Sequence, residues 1–331
     1  MKAPGFWRAG EGGLVAGMLS PASWAYQSGA ALGRWFRGAA WKAPVPVICC
    51  GNVTAGGSGK TPVALAIARR LQAAGRHPHF LSRGYGGTEK GPLAVAPERH
   101  TAAEVGDEPL LLAAEAPAWI GADRAATARL AVAAGADVLV MDDGLQNGTL
   151  HQDLSLMVVD GGFGFGNGKL LPAGPLREPL PSAFGRIAAA VIVGDDETGV
   201  AGLLPPGLPV LRARVVPGPE AAELAGQTVV AFAGIGRPEK FFQTLAAAGA
   251  VIADAIPFPD HHPFSAADIA MLEGRAAALG ARLVTTEKDR MRLAATAPDG
   301  IAALTIDLHW EDQGALDTLL TPLFDGTAHA G

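Results

Sequence analysis

The segment GNVTAGGSGKTPVALAIARRL, residues 51–71, carries the clearest indication of the fold in this sequence. It follows the short apolar run VPVICC, residues 45–50, which has the composition of a buried strand. Gly56, Gly57 and Gly59 allow the backbone to turn its N–H groups inward around phosphate oxygens. The helix that begins after them adds the positive end of its dipole. Strand, glycine-rich loop and helix in this order predict a phosphate-binding loop, or P-loop.

The side chains of this loop predict how a nucleotide would bind. Lys60 is placed to reach the β- and γ-phosphates, and the Thr61 hydroxyl is a ligand for Mg²⁺. Pro62 suits the first turn of the helix, where a missing N–H costs nothing. Thr54 stands where the usual pattern has its first glycine. The residues expected to contact the nucleotide are Thr54, Gly56, Gly57, Ser58, Gly59, Lys60 and Thr61.

The run VLVMDDGLQ, residues 138–146, supplies acidic residues for the same site. Its apolar residues predict a buried strand that ends at Asp142 and Asp143. In an open parallel sheet the carboxyl ends of the strands form the ligand crevice. Carboxylates at that edge bind Mg²⁺ directly or through water. The two motifs together predict an enzyme that binds Mg²⁺ and a nucleotide, without specifying which enzyme.

The rest of the chain alternates apolar strands with helices, which predicts a parallel sheet covered on both faces. A Pro- and Gly-rich linker at about residues 203–226 separates two such alternations. We therefore expect an α/β protein of the P-loop NTPase type. Residues 1–218 would form an N-terminal helix and the P-loop domain, and residues 219–331 a smaller α/β domain.

The composition of the chain predicts a folded protein that does not bind nucleic acid. The 331 residues are 49% hydrophobic and 18% charged, with a formal net charge of -6, so the chain can bury a large core. It lacks the overall basic charge of a nucleic-acid-binding protein. Cys49 and Cys50 are adjacent in an apolar run and are expected to be reduced core residues.

The N-terminal segment differs from the rest. Residues 1–44 contain five lysine or arginine residues, one acidic residue and four of the six tryptophans. At 100° per residue, one side of a helix begun at Trp24 carries tryptophan, leucine and phenylalanine, and the other carries arginines. This pattern favours a helix lying in a membrane interface, although a helix packed on the core with a basic face has the same pattern. Its apolar side would carry Trp24, Leu32, Trp35 and Phe36, and its basic side Arg34 and Arg37.

Seven motifs occur in order along the chain: GNVTAGGSGKTP (51–62), SRGYGG (82–87), VGDEP (105–109), DDGLQ (142–146), LPAGPLREP (171–179), FPDHHPF (258–264) and TTEKD (285–289). Most of them are weak alone. As an ordered set they closely resemble the tetraacyldisaccharide 4'-kinase family, the lipid A 4'-kinases of Gram-negative bacteria. The resemblance runs from about residue 21 to about residue 309, and Thr54 in the loop is normal for that family.

The resemblance implies a function and roles for particular residues. The expected reaction transfers the γ-phosphate of ATP to the 4'-hydroxyl of tetraacyldisaccharide 1-phosphate, giving lipid IVA in lipid A biosynthesis. The enzyme would be a peripheral or monotopic protein at the cytoplasmic face of the inner membrane, with no obligate protein partner and no nucleic acid. Asp107 resembles the family's catalytic base for the sugar hydroxyl, paired with His261 rather than His262. Lys60 would bind the ATP phosphates. The residues expected to hold Mg²⁺ are Thr61, Asp142, Asp143 and Glu178, and the sequence does not decide which of the three acidic residues contacts the ion directly. The residues expected to contact the acceptor are Arg83, Tyr85 and Arg177.

Two alternatives remain at the level of the sequence. One is another P-loop enzyme, such as a nucleotide-dependent ligase or a metallochaperone-like GTPase. The lysine of TTEKD stands one place too late for the guanine-reading pattern, which disfavours GTP. The other is a membrane-associated regulatory ATP-binding module without a small-molecule acceptor. Such a module would not need Asp107 and His261 outside the nucleotide motifs.

Overall fold

The computed structural model describes residues 4–11, 13–35, 38–293 and 300–325. Within these residues the chain forms two sheets, one of nine strands and one of four. We call the part built on the larger sheet the first unit and the part built on the smaller sheet the second unit.

The first sheet is mostly parallel and has the order β13-β8-β7-β6-β1-β5-β2-β4-β3, with antiparallel pairs only at its two edges among the described strands. Its central strands β1, β5 and β6 are buried along their whole length, as continuous apolar runs require. The strands are β1 (Val47–Gly51), β2 (Pro78–Ser82), β3 (Leu93–Ala94), β4 (Ala118–Ile120), β5 (Val138–Asp142), β6 (Leu154–Asp160), β7 (Ala189–Val193), β8 (Val210–Pro217) and β13 (Ile306–Trp310).

Helices cover both faces of this sheet. Helices α2, α4 and α11 share one hydrophobic core, and α5 and α6 contribute to the core on the opposite face. The helices of the first unit are α1 (Gly13–Trp35), α2 (Lys60–Ala73), α3 (Ala102–Val105), α4 (Asp107–Glu115), α5 (Arg124–Ala133), α6 (Leu180–Phe184) and α11 (Gln313–Leu320); short 3₁₀ turns lie at Gly5–Trp7, Val200–Leu203 and Thr321–Leu323.

The second sheet is parallel, in the order β10-β9-β11-β12. Helices α7 and α8 border the core on one of its faces, and α9 borders the core on the other. Its elements are α7 (Glu220–Leu224), β9 (Thr228–Ala233), α8 (Pro238–Ala247), β10 (Val251–Pro257), α9 (Ala266–Leu279), β11 (Arg282–Thr286), α10 (Glu287–Arg290) and β12 (Ala302–Leu304).

The chain returns to the first unit after β12. Strand β13 pairs antiparallel with β8, and Leu308 and Trp310 of β13 are buried in the first core. Helix α11 adds Leu316 and Leu320 to that core. The domain boundary predicted from the sequence assigned all of residues 219–331 to the second domain. In the structure the second sheet ends at Leu304, and the segment after it packs on the first unit because its apolar side chains complete the core there.

Helix α1 is longer than the segment considered from the sequence and runs through Pro21. It contacts the body through Ala16 and Ser23, whereas Leu14, Met18 and Trp24 are 83%, 79% and 71% exposed. The Ser23 hydroxyl donates to the carbonyl of Leu170 at 2.9 Å. The side chains of Leu32, Arg34 and Trp35, together with Phe36 and Arg37, lie outside the described residues. No helix in the described part of the chain is both long and apolar enough to cross a membrane.

Candidate active site

The loop between β1 and α2 has the form that the sequence predicts. Gly56 and Gly59 have φ angles of 116° and 83°, which L-residues with a side chain rarely adopt. The Asn52 amide donates to the Thr54 carbonyl at 2.8 Å and to Ser58 Oγ at 2.9 Å, so it ties the start of the loop to its end. Lys60 is the first residue of α2. The loop therefore ends at a helix N-terminus at the carboxyl edge of the sheet.

Thr54 has a structural reason for replacing a glycine. It forms an antiparallel bridge with Leu176. On either side of that bridge, the Ala55 N–H donates to the Pro175 carbonyl at 2.8 Å and the Arg177 N–H donates to the Val53 carbonyl at 2.7 Å. An extended residue suits such a ladder better than glycine does. This ladder also fixes Arg177 beside the phosphate-binding loop.

The carboxylate of Asp142 lies against the start of α2. Thr61 Oγ1 donates to Asp142 Oδ2 at 2.8 Å. Asp142 is 1% exposed and its Oδ1 is buried without a hydrogen-bond partner. Burial and then the charge of Glu108 raise the pKa of Asp142 to about 7. A hydroxyl and a desolvated carboxylate oxygen without a partner form a donor set suited to a hard divalent cation.

Asp143 bridges two basic residues. Arg177 Nη1 donates to both of its carboxylate oxygens, at 3.0 and 3.1 Å, and Lys60 Nζ lies 3.8 Å from Oδ1. Burial raises the pKa of Asp143, but the charges of Lys60 and Arg177 outweigh it and the net shift is downward. The two cations are thus held together at the mouth of the loop, where the terminal phosphate of a nucleotide would lie.

Glu178 is held away from solvent by a different set of contacts. Its carboxylate accepts two hydrogen bonds from Arg186 Nη2, at 2.8 and 2.7 Å, and one from Gln146 Nε2 at 3.0 Å. Gln146 also donates to the Asn52 carbonyl at 2.8 Å. Glu178 therefore connects the LPAGPLREP loop to the phosphate-binding loop through Gln146.

Asp107 and His261 meet across the two units. Asp107 is the first residue of α4, and its Oδ2 lies 3.1 Å from His261 Nδ1. His261 has a φ of 58°, which turns its ring toward Asp107 while its N–H donates to the Gly234 carbonyl at 2.9 Å. His262 points elsewhere, with Nε2 at 3.2 Å from Asp268 at the start of α9. Of the two histidines, the geometry pairs His261 with Asp107.

The SRGYGG loop follows β2 and borders this pair. The ring of Tyr85, which is 70% exposed, lies edge-on to His261 with centroids 5.9 Å apart. Arg83 is exposed and lies near the buried Arg124. Burial and then the charge of Arg83 lower the pKa of Arg124 to about 10. The Tyr85 ring thus stands beside the Asp107–His261 pair, and Arg83 of the same loop lies near Arg124.

Comparison with known proteins identifies the family. The family model of tetraacyldisaccharide-1-P 4'-kinase matches residues 15–325. The chain belongs to the tetraacyldisaccharide-1-P 4'-kinase family. It is 56% identical to the tetraacyldisaccharide 4'-kinase of Rhodospirillum centenum over 331 residues, covering 98% of each chain. It is 54% identical to that of Gluconacetobacter diazotrophicus, covering 98% of this chain and 99% of the relative.

A solved structure agrees with this assignment. The LpxK of Aquifex aeolicus, in a crystal structure with ATP, is 27% identical and matches with a TM-score of 0.75. The match covers 94% of this chain and 100% of that one. The predicted family membership, the α/β P-loop fold and the assignment as an ATP-dependent kinase are therefore confirmed. The guanine-nucleotide and purely regulatory alternatives do not fit a member of this kinase family.

Several residues that the sequence did not assign complete this kinase site. Arg237 of the second unit donates to the Gly57 carbonyl of the loop at 2.7 Å and also to Asp160, which accepts from Lys240 at 3.0 Å. Arg292 and Lys288 reach the acidic start of α4 from the second unit. The TTEKD motif pointed to Lys288 without giving it a role. The other cations carry no local motif, so only the tertiary structure reveals them.

Proposed function

We propose that this protein transfers the γ-phosphate of ATP to the 4'-hydroxyl of tetraacyldisaccharide 1-phosphate, giving lipid IVA in lipid A biosynthesis. One observation carries the proposal beyond family membership. The Asp107–His261 pair is held at 3.1 Å across the two units, and Glu108, the residue after Asp107, lies close enough to Asp142 for its charge to raise the pKa of that carboxyl. A carboxylate–imidazole pair is a proton acceptor for a hydroxyl group, and a regulatory nucleotide switch has no need for one.

The loop and its basic neighbours would bind the phosphates. The N–H groups of the loop from Gly57 to Gly59 and the start of α2 would face the phosphate oxygens. Lys60 and Arg177, which share Asp143, would neutralise the charge that develops on the transferred group. Phosphoryl transfer is accelerated mainly by positioning and charge neutralisation, so these contacts matter more than covalent chemistry.

The residues around Asp142 fit a magnesium ion. Thr61 Oγ1 and the unpartnered Asp142 Oδ1 would supply oxygen ligands, and Asp143, the next residue, is a further candidate. The carboxylate of Glu178, the fourth predicted ligand, accepts hydrogen bonds from Arg186 and Gln146 instead. The described residues contain no group of three or more His, Cys, Asp or Glu side chains that could bind a metal ion by themselves. Mg²⁺ typically uses one or two carboxylates together with phosphates and water. When bound, Mg²⁺ would neutralise charge on the nucleotide phosphates.

The acceptor would approach from the side of Asp107. We propose that the Asp107–His261 pair accepts the proton of the 4'-hydroxyl as its oxygen attacks the γ-phosphate. Tyr85, exposed beside this pair, and Arg83, exposed on the same loop, would contact the sugar and its charged groups. The second unit contributes His261, so its docking on the first unit completes the site.

Helix α1 would bring the enzyme to its lipid substrate at the cytoplasmic face of the inner membrane. The outward side of the helix exposes Leu14, Met18 and Trp24, and residues 13–29 of α1 include no charged residue. An exposed apolar helix side of this kind fits the interface between lipid headgroups and acyl chains. The opposite side, through Ser23, attaches the helix to the loop that carries Arg177 and Glu178.

A direct transfer assay tests the reaction. Wild-type protein and the Asp107→Asn variant are incubated with γ-labelled ATP and tetraacyldisaccharide 1-phosphate in detergent micelles. We expect labelled lipid from the wild type and a rate lower by about 10²–10⁴-fold from the variant, because a positioned proton acceptor contributes that much. ATP binding, measured by equilibrium dialysis, should be retained. A folded, ATP-binding wild type that labels no lipid would refute the proposed reaction.

Membrane contact is tested separately with vesicles. Leu14→Glu and Met18→Glu together should lower binding to phosphatidylethanolamine–phosphatidylglycerol vesicles by at least about tenfold, since burial of each apolar side chain contributes more than 1 kcal/mol. Leu203→Glu is the matched control, because Leu203 is 60% exposed but belongs to a different element, the 3₁₀ turn at Val200–Leu203. Equal vesicle binding by wild type and the double variant would exclude α1 as the anchor.

A further inference from the structure

The Asp107 carboxylate is held by both units at once. Its Oδ1 accepts the backbone N–H of Glu108 at 2.9 Å, within its own helix. Its Oδ2 lies 3.1 Å from His261 Nδ1, 3.0 Å from Arg292 Nε and 3.9 Å from Lys288 Nζ, all in the second unit. The side chain of Asp107 is only 2% exposed. One oxygen is thus fixed by α4 and the other by basic groups of the second unit.

Arg292 is itself fixed in the wall of the second unit. Its side chain is 6% exposed, and Nη1 donates to the Gly234 carbonyl at 2.8 Å. Its Nη2 lies 3.1 Å from Asp289, which is fully buried and accepts hydrogen bonds from Thr286 Oγ1 at 2.6 Å and from the Gly234 N–H at 3.1 Å. The hydrogen bond from Nη1 holds the guanidinium in place, while Nε and Nη2 face Asp107 and Asp289 as ion pairs without hydrogen-bond geometry.

Lys288 approaches the same corner from α10. Its Nζ donates to Glu108 Oε1 at 2.8 Å while lying 3.9 Å from Asp107. The lysine thereby spans two consecutive acidic residues at the start of α4. Its side chain is 24% exposed, so it is less embedded than Arg292.

The charges around Asp107 favour its ionised form. Burial raises the pKa of Asp107, but the hydrogen bond from His261 and the charges of Lys288 and Arg292 outweigh it and lower the pKa to about 2. The acidic groups that face the cluster are Glu108 on α4, Asp289 on α10 and Asp260, whose Oδ1 lies 3.9 Å from His261 Nε2. Bound nucleotide phosphates would add negative charge and favour protonation of a carboxylate, which the two cations oppose.

We propose that Lys288 and Arg292 are positioning residues for the Asp107–His261 pair, which fix the Asp107 carboxylate and keep it ionised beside the bound nucleotide. They act through Asp107 and do not contact the phosphate that is transferred. Because both belong to the second unit, alignment of the proton acceptor depends on docking of that unit. This inference rests on the proposed phosphoryl transfer to a lipid hydroxyl.

The test compares Lys288→Met, Arg292→Met and Arg292→Lys in the labelled-lipid assay. We expect each methionine variant to lower kcat by about tenfold, with the KM for ATP within about twofold of wild type, because misalignment of a catalytic group affects the chemical step. Arg292→Lys should recover part of the loss. The acid limb of the rate profile should move to higher pH by about one unit in Lys288→Met, since loss of a nearby positive charge favours protonation of the pair. Arg275→Met, on α9, removes an exposed ion pair with Asp254 of β10 and serves as the control.

A double variant separates this role from a structural one. If Arg292 acts through Asp107, Arg292→Met should cost no further activity in the Asp107→Asn background. Additive losses, an unmoved pH profile or a raised KM for ATP with unchanged kcat would overturn the inference. If Arg292→Met does not fold, Lys288→Met decides the matter alone. Wild-type protein that labels no lipid would instead refute the proposed reaction, so the two failures are distinguishable.

Discussion

Arg237 connects the second unit directly to the phosphate-binding loop, and its removal should weaken ATP binding. Its guanidinium donates to the Gly57 carbonyl at 2.7 Å and forms an ion pair with Asp160 at the end of β6. Burial raises the pKa of Asp160, but the hydrogen bond and charge of Arg237, with Lys240, lower it overall. The loop is thereby anchored by the second unit in addition to Asn52 and the Thr54 ladder.

The size of the effect follows from exposure. A hydrogen bond from a charged donor contributes about 1.5–3 kcal/mol when it is well shielded. The Arg237 side chain is 36% exposed, so solvent screening lowers the expected value. We take about 1 kcal/mol for the screened contact. Since 1.4 kcal/mol corresponds to a tenfold change in affinity, about a fivefold loss is expected. Arg237→Met should therefore raise the Kd for ATP about fivefold by loosening a loop that binding must then order.

The assay is equilibrium dialysis of ATP against wild type, Arg237→Met and Lys240→Met. Lys240 is the matched control because it contacts the same carboxylate at 3.0 Å without touching the loop. We expect its removal to change the Kd by less than about twofold, since it is 55% exposed. Unchanged affinity in Arg237→Met, or an equal loss in both variants, would refute the reasoning that the Gly57 contact orders the loop.

Three further perturbations test the site. Lys60→Ala should abolish transfer of labelled phosphate to the lipid, because Lys60 is the first residue of α2 and without it Arg177 alone would face the phosphate. Near-normal turnover would rule out the assignment of this loop as the phosphate-binding loop. Thr61→Val should raise the Mg²⁺ concentration needed for half-maximal rate by about tenfold, measured at saturating ATP, because it removes one oxygen ligand and frees Asp142. Asp107 has a pKa of about 2, below its ordinary 3.8, so its contacts add stability above pH 4 that is lost as the pH falls toward 2. Urea unfolding should therefore show wild type about 2 kcal/mol more stable than Asp107→Asn at pH 7 and only about 1 kcal/mol at pH 3, and a constant gap would contradict this linkage.

The nucleotide side of the fold could be predicted from sequence because its signals are local. The apolar strand, the glycines with positive φ and the helix that starts at Lys60 are consecutive in the chain. The position of Asp142 could be predicted in the same way, because it is the last residue of a parallel strand and the carboxyl ends of such strands form the ligand crevice. Each of these features depends on backbone rules that hold within about ten residues.

The remaining features depend on contacts between distant segments. The return of β13 to the first sheet pairs Ile306 with Pro217 across the whole second unit. No sequence pattern near Ile306 indicates that its strand pairs with β8. The choice between His261 and His262 depends on one backbone angle at His261, which aims one ring at Asp107 and leaves the other for the cap of α9. Two adjacent histidines in a proline-bounded loop look alike without that angle.

The structure divides the chemistry between the units in a consistent way. At two places an aspartate of the first unit meets basic side chains of the second: Asp160 with Arg237 at the nucleotide loop, and Asp107 with Arg292 at the proton acceptor. In the proposed reaction, the first contact would bear on how ATP is held, and the second on how the acceptor hydroxyl is deprotonated. A displacement of the second unit would therefore disturb both functions together, whereas single substitutions separate them into changes of Kd and of kcat. That separation is the physical reason to test Arg237 by nucleotide affinity and Arg292 by turnover.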